Sequence, residues 1–431
     1  MRTIWGALTL RHFLIVLLTV FAVPVAALDE ATVLEKTLAY LSRDADCTET
    51  TTEPATTQPG WERRVLTMPH DGYRLRYSRF GCAPGAKGAL VIAPGRSEPS
   101  YEYAETAIDF IARGFAPVYV IDHRGQGLSP RLLEDPDKSH VEDFDDYIQD
   151  FTQFVAAVEA DLLALDARPD LPLFLTSNSM GGAIAIGYFQ KVDGETPFAA
   201  AALVSAMIHV NYISYTDKPP RWLNLRIYSE TGVAVQGWWR CNIAWLWNGA
   251  LCRDYASART FGAYEPGTRQ FEPDAEEVMT RSRARFALRT RMWDSFDWSG
   301  IRAAEYAGEN WDGPQIGGTT NKWARDSVRF LRDMRAPESL TRMVDTPILL
   351  LSGTRDLRAY RQYPGVRDAP PDLSRHTRFC DDLNAASLAA DKGYVCQFSA
   401  INGAFHEIYK ERDRERNAAL DMVEGFFLRH R

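Results

Sequence analysis

The 431-residue chain holds no His/Asp/Glu cluster with metal-ligand spacing and no Cys-x-x-Cys pair, so it offers no zinc or redox centre. It also carries no glycine-rich loop of the kind that cradles phosphates. No cofactor is implied. Positive charge is in deficit: 49 Lys and Arg against 57 Asp and Glu leave a net charge of −8. That balance argues against nucleic acid and against nonspecific adhesion to anionic membranes. Beyond residue 27 no segment could span a bilayer, which takes about twenty apolar residues.

The first 27 residues form a separate unit. Arg2 and Arg11 precede the apolar stretch from Phe13 to Val23, and Val25-Ala26-Ala27 supplies small residues at a cleavage position. This reads as a secretory signal peptide, with an uncleaved anchor as the weaker reading because the apolar run is short. No cysteine follows the cleavage position, which argues against a lipoprotein. Cleavage would move the net charge to −10, since two cations and no carboxylate leave. Export would place the six cysteines in an oxidising compartment, where an even number suggests disulfides. Proximity in sequence favours Cys241–Cys252 and Cys380–Cys396, leaving Cys47–Cys82, although fifteen pairings are open.

Residues 28–60 begin with a helical run, Glu30 to Leu41, and then turn polar and threonine-rich. Arg64–Thr67 and Tyr73–Tyr77, joined around Asp71-Gly72, predict a β-hairpin. From Ala89 strand-like and helix-like segments alternate: Ala89–Ala93, Glu102–Arg113, Pro117–Asp122, Phe144–Leu165, Leu173–Ser177, Gly182–Gln190 and Ala200–Ala206. Such alternation predicts an α/β fold with a mostly parallel sheet flanked by helices. It resumes at Pro347, so 61–206 and 341–431 form one core, interrupted by residues 207–340.

Leu173 to Gly182 carries the chemistry. An apolar run ends in Thr176-Ser177-Asn178-Ser179-Met180-Gly181-Gly182, and helical spacing follows. Strand, sharp turn and helix, with a serine at the apex, make the nucleophile elbow G-x-S-x-G, here with Ser177 in place of the first glycine. Ser179 is the nucleophile in this reading, because Gly181 stands two places beyond it; Ser177 has no such glycine. A serine nucleophile in this setting needs an acid and then a histidine at the ends of later strands.

Asp356 meets the first need. It follows Ile348 to Gly353, a continuous apolar run suited to a strand buried on both faces, whereas Asp345 precedes that strand. Of the eight histidines, His406 follows the last predicted strand at the next turn, while His430 stands at the extreme C-terminus and His12 in the N-terminal segment. His376 is read as part of a polar loop, and His123 and His140 precede the nucleophile. Met180 would give one backbone N–H to an oxyanion, and Arg96, in the loop Pro94-Gly95-Arg96-Ser97-Glu98, would give the other. The Arg96 side chain reads either as a surface cation or as a contact for an anionic group of the substrate.

With these residues placed, the chain resembles the α/β-hydrolases of the monoacylglycerol lipase and bacterial lysophospholipase group. The likeness rests on Pro94 to Glu98, Ile121-Asp122-His123-Arg124-Gly125-Gln126-Gly127-Leu128-Ser129, Ser177 to Gly182, Leu349 to Asp356, and Gly403-Ala404-Phe405-His406-Glu407. Tyr101 to Phe110 and Arg131 to Pro136 resemble the bacterial lysophospholipases most. The group usually has histidine where Pro94 stands and Gly or Ala where Ser177 stands; both changes leave the backbone chemistry intact. The resemblance implies a serine carboxylester hydrolase acting on a single-chain lipid ester, lysophospholipid or monoacylglycerol, in transient contact with a membrane surface. It also implies that residues 207–340 form a mainly helical cap over the site. Nine of the eleven tryptophans lie there; Trp238, Trp239 and Trp245 are candidates for lining an acyl trough, with core packing as the alternative. An esterase, amidase or peptidase acting on a non-lipid substrate would share the triad, and a binding protein on a degenerate fold is the non-enzyme alternative. The oligomeric state is unknown from sequence.

Overall fold

The computed structural model describes residues 30–41, 61–165, 170–192, 195–209, 279–317, 319–343, 345–356, 374–393 and 395–431. The predicted signal segment, Cys47, Cys241 and Cys252, and Trp238, Trp239 and Trp245 lie outside these residues.

Eight strands form one sheet: β1 (Trp61–Thr67), β2 (Arg74–Phe80), β3 (Gly88–Ala93), β4 (Phe115–Asp122), β5 (Leu173–Asn178), β6 (Phe198–Val204), β7 (Ile348–Gly353) and β8 (Cys396–Ile401). Their order is β1-β2-β4-β3-β5-β6-β7-β8. The β1–β2 and β2–β4 pairs are antiparallel, and all others are parallel. The hairpin turns where expected, at Gly72 with φ of 74°.

The apolar runs explain this arrangement. Every residue of β3, β4, β5 and β7 is buried, so both faces must be covered. Strand alternation sends Val91, Leu175, Leu203 and Leu350 into one core, under helices Phe144–Ala164 and Met180–Lys191. Leu90, Phe174, Val204 and Leu351 enter the other, under helices Ala104–Ala112 and Asp413–Arg429. Local signals set the helix starts. Asp143 accepts the Asp145 N–H while Asp146 reaches back to the Asp143 N–H, a reciprocal cap on Phe144–Ala164. The Cys380–Cys396 disulfide forms as proximity suggested, tying helix Ser374–Ala389 to β8. Cys82 is also disulfide-bonded.

Between β6 and β7 the described residues are helical: Arg283–Asp294, Trp298–Glu305, Asn321–Met334 and Pro337–Leu340. Helix Asn321–Met334 packs on Phe144–Ala164 and Met180–Lys191, and Leu331, Met334 and Leu340 join the first core. This end of the insertion thus packs as a flanking layer of the core. Trp311 and Trp323 are buried core residues.

One close approach holds the elbow shut. A Cβ on Gly181 would collide with the carbonyl oxygens of Ala93 and Pro94. Since backbone cannot yield as a side chain does, Gly181→Ala should lower the unfolding free energy by about 3 kcal/mol. A urea midpoint equal to wild type would show that the approach is looser than this.

Candidate active site

In parallel sheets functional groups gather at the carboxyl ends of the strands, and here the predicted residues all follow strands at that edge. Ser179 sits between β5 and its helix with φ 49° and ψ −114°, a left-handed backbone that a non-glycine residue rarely adopts. It is pinned by its N–H to the Val204 carbonyl at 3.0 Å and by its own carbonyl, which accepts the Met207 N–H at 2.8 Å. Its neighbours Asn178 and Met180 are buried, while Ser179 is half-buried. Met180 is the first helical residue, so its N–H has no acceptor within the helix. Ser177 lies buried in β5 against Gly182, whose Cβ would stand 3.3 Å from the Ser177 Oγ. It faces the packing behind the turn.

Asp356 and His406 are brought together by the β7–β8 pairing, which runs on beyond the strands. Thr354 N–H donates to the Ile401 carbonyl (3.0 Å) and Arg355 N–H to the Ala404 carbonyl (2.8 Å). Gly353 permits this, because a Cβ there would collide with the Ala404 and Phe405 carbonyls. The result is a hydrogen bond from His406 Nδ1–H to Asp356 Oδ2 at 2.8 Å, with both residues buried. A carboxylate on Nδ1 leaves Nε2 as the basic nitrogen.

Three positioning groups escaped the sequence reading. The buried Glu98 carboxylate accepts the Gly95 N–H (2.6 Å), the Tyr103 hydroxyl (2.6 Å), the Asn178 amide (3.1 Å) and the Lys410 ammonium (3.2 Å). It therefore joins the Arg96 loop, the residue before Ser179 and the segment after His406. Beside Glu98, burial pushes the Tyr103 hydroxyl well above its usual range. Gln126 accepts the Ser97 N–H at 2.7 Å and touches the Met180 sulfur, linking the two donor segments. His123 Nε2–H donates to the Pro94 carbonyl at 3.0 Å. No pattern in the sequence marks these roles; only the motif containing His123 and Gln126 hinted that the loop matters.

Within that motif the charged residues act separately. Asp122 accepts the N–H groups of Ser100 (2.8 Å) and Leu128 (3.0 Å), while Arg124 holds Asp150 through Nε (2.8 Å) and Nη2 (2.7 Å). His376 corrects an expectation. It lies in the first turn of helix Ser374–Ala389 rather than in a polar loop, buried, with Nε2–H donating to the Ala206 carbonyl at 2.9 Å. Burial lowers its pKa. The Arg96 side chain is half-buried and donates from Nη1 to the Gly317 carbonyl at 2.8 Å.

The geometry is matched by likeness to known proteins. The serine aminopeptidase S33 family profile matches residues 84–246. Lysophospholipase L2 of Escherichia coli (strain K12) is 30% identical over 364 residues, covering 84% of this chain and 86% of its own. Human monoglyceride lipase is 32% identical over 154 residues, 35% of this chain and 46% of its own. Among solved structures, a soluble variant of Saccharomyces cerevisiae monoglyceride lipase superposes with a TM-score of 0.54 at 15% identity, over 88% of this chain and 97% of its own. That superposition establishes a shared fold.

Two buried groups of the loop titrate in opposite senses. Burial pushes His123 from 6.5 down to about 4. Between those values the unfolded chain carries a proton that the folded chain does not, so this term weakens folding as pH falls. Burial pushes Asp122 from 3.8 up to about 6, where the folded chain holds the extra proton and the term strengthens folding as pH falls. His123→Gln removes the first effect and keeps the second. Between pH 7 and 4 the variant should therefore lose less stability than wild type in urea titrations. Parallel pH curves would refute the assignment.

Proposed function

Because the chain belongs to the α/β-hydrolase family of lysophospholipase L2 and is a serine ester hydrolase, we propose that it cleaves acyl esters of single-chain lipids through an acyl-enzyme on Ser179. The observation that carries this reading is the His406–Asp356 hydrogen bond at the same sheet edge as the strained Ser179. His406 Nε2 removes the Ser179 proton as the Oγ attacks the ester carbonyl carbon, and Asp356 stabilises the imidazolium. The oxyanion takes N–H bonds from Met180 and Arg96, each worth about 3 kcal/mol of barrier. The intermediate collapses, the glycerol oxygen leaves with the His406 proton, and the acyl group stays on Ser179. Water, activated by the same imidazole, then releases the fatty acid.

The match to a serine aminopeptidase family favours a second reading, an amidase or peptidase of the same fold. A lysophospholipid and monoacylglycerol panel set beside aminoacyl p-nitroanilides separates the two. Residues 1–27 support export to the periplasm or beyond, which cell fractionation of the native protein would check.

Ser179→Ala should reduce kcat at least about ten-thousandfold, and a fluorophosphonate should label Ser179 in the folded wild type. No adduct there would end the acyl-enzyme reading. Glu98→Gln turns an amide toward donors that now meet a carboxylate. It should lower kcat about a hundredfold while changing KM far less, because it displaces the donor loop rather than a substrate contact. A pure KM effect would count against that role.

A further inference from the structure

Among the described residues, the buried arginines are compensated in one of two ways. Arg76, Arg79, Arg124, Arg285 and Arg416 each meet a carboxylate. Among the described residues, Arg131 meets none but donates to the carbonyls of Gly127, Ser129, Pro136, Gly313 and Gln315. Arg96 has neither arrangement. Half-buried at the carboxyl edge of the sheet, it spends one nitrogen on one neutral carbonyl, that of Gly317, and among the described residues it pairs with no carboxylate. A guanidinium offers five N–H donors in a planar fork suited to a phosphate. Among the described residues, most of that capacity is uncommitted.

Its place on the chain gives this meaning. If the Arg96 backbone N–H faces the ester oxygen, the guanidinium stands one arginine side chain away from the reacting carbonyl. In a lysophospholipid the phosphate stands a glycerol's length from the same carbonyl, a comparable reach. A monoacylglycerol has only a hydroxyl there. We propose that the Arg96 guanidinium is the subsite for the substrate phosphodiester and makes the enzyme prefer lysophospholipids to monoacylglycerols. This rests on the lipid-ester reading above. It assigns the Arg96 side chain a role separate from its backbone, since substitution keeps the N–H and changes only the head-group contact. The Gly317 carbonyl is the neutral acceptor that the phosphate replaces or joins.

The test is a ratio, so a general loss of activity does not distort it. The full chain is assayed on lysophosphatidylcholine and monoacylglycerol of one acyl length in the same detergent micelles. For wild type, Arg96→Lys and Arg96→Gln, the quotient of the two kcat/KM values is compared. The expected result is a fall of about tenfold in the quotient for Arg96→Gln, the size of one charged hydrogen bond at a half-exposed site. Arg96→Lys, which keeps the charge but loses the fork, should fall between, and should report even if Arg96→Gln folds poorly. Glycerophosphocholine should inhibit wild type more strongly than either variant. An unchanged quotient with equal inhibition overturns the subsite while leaving the lipid-ester reading intact. Wild-type protein that cleaves neither lipid overturns both.

Discussion

The reversal of the chain at Ser179 is the constraint around which the rest is arranged. Strand passes to helix through a single residue with φ 49°, a conformation that costs on the order of 1–3 kcal/mol and persists only where its surroundings enforce it. The surroundings are visible. Val204 and Met207 fasten the Ser179 backbone from the β6 side, and Gly181 and Gly182 let the helix settle against Ala93 and Ala206. Because β5 lies between β3 and β6, the loops after both strands flank the serine. The acid and base arrive from the other direction, on β7 and β8, whose pairing extends past the sheet to set Asp356 against His406.

Electrostatics then fixes the loops that the sheet only brings near. A buried carboxylate is costly unless its oxygens are satisfied, and Glu98 draws donors from Gly95, Tyr103, Asn178 and Lys410, residues far apart along the chain. Any drift of the Arg96 loop away from the elbow would leave part of that carboxylate without partners. The same logic holds at Asp122, which turns the β4 loop by collecting N–H groups from Ser100 and Leu128. These buried charges contribute little to a hydrophobic ledger but make one loop arrangement much more favourable than its alternatives.

What was legible in the sequence follows from which signals are local. Continuous apolar runs identified β3, β5 and β7 because strands covered on both faces leave no room for polar alternation. Ser179 and Asp356 could be picked out because each closely follows such a run, and His406 because it follows the turn after the last strand-like segment. Glu98 could not, since its meaning depends on Lys410, a residue distant in sequence. His376 was misplaced because Asp372-Leu373-Ser374-Arg375 reads as a polar loop, while the helix that buries the histidine is stabilised by packing against β8 and its disulfide. Of the insertion's tryptophans, the trough candidates Trp238, Trp239 and Trp245 lie outside the described residues, and two others show core packing. Trp311 stacks on Tyr306 with ring centroids 4.0 Å apart and donates to the Gly127 carbonyl; Trp323 donates to the Tyr147 hydroxyl. Both are structural, and composition alone cannot separate such residues from a ligand trough.

Two of the arginines that reach the insertion, Arg131 and Arg96, divide the anchoring of its 313–317 segment unequally. Arg131 is buried, and although burial pushes its guanidinium down to about 10, it remains a cation at neutral pH. Its partners in the insertion, Gly313 and Gln315, are carbonyls, so no carboxylate needs to ionise for this tie to hold. Salt also screens a buried contact far less than an exposed one. Arg96 holds Gly317 by a single bond at a half-exposed position, where water and solute anions can compete for the guanidinium. The segment that carries both carbonyls is thus fixed at Gly313–Gln315 by Arg131 and at Gly317 by its own N–H, which donates to the Asp137 carbonyl at 2.7 Å, so it does not depend on Arg96. Variation in what the Arg96 side chain binds can therefore be absorbed at Gly317 without disturbing the Arg131 anchor or the core beneath it.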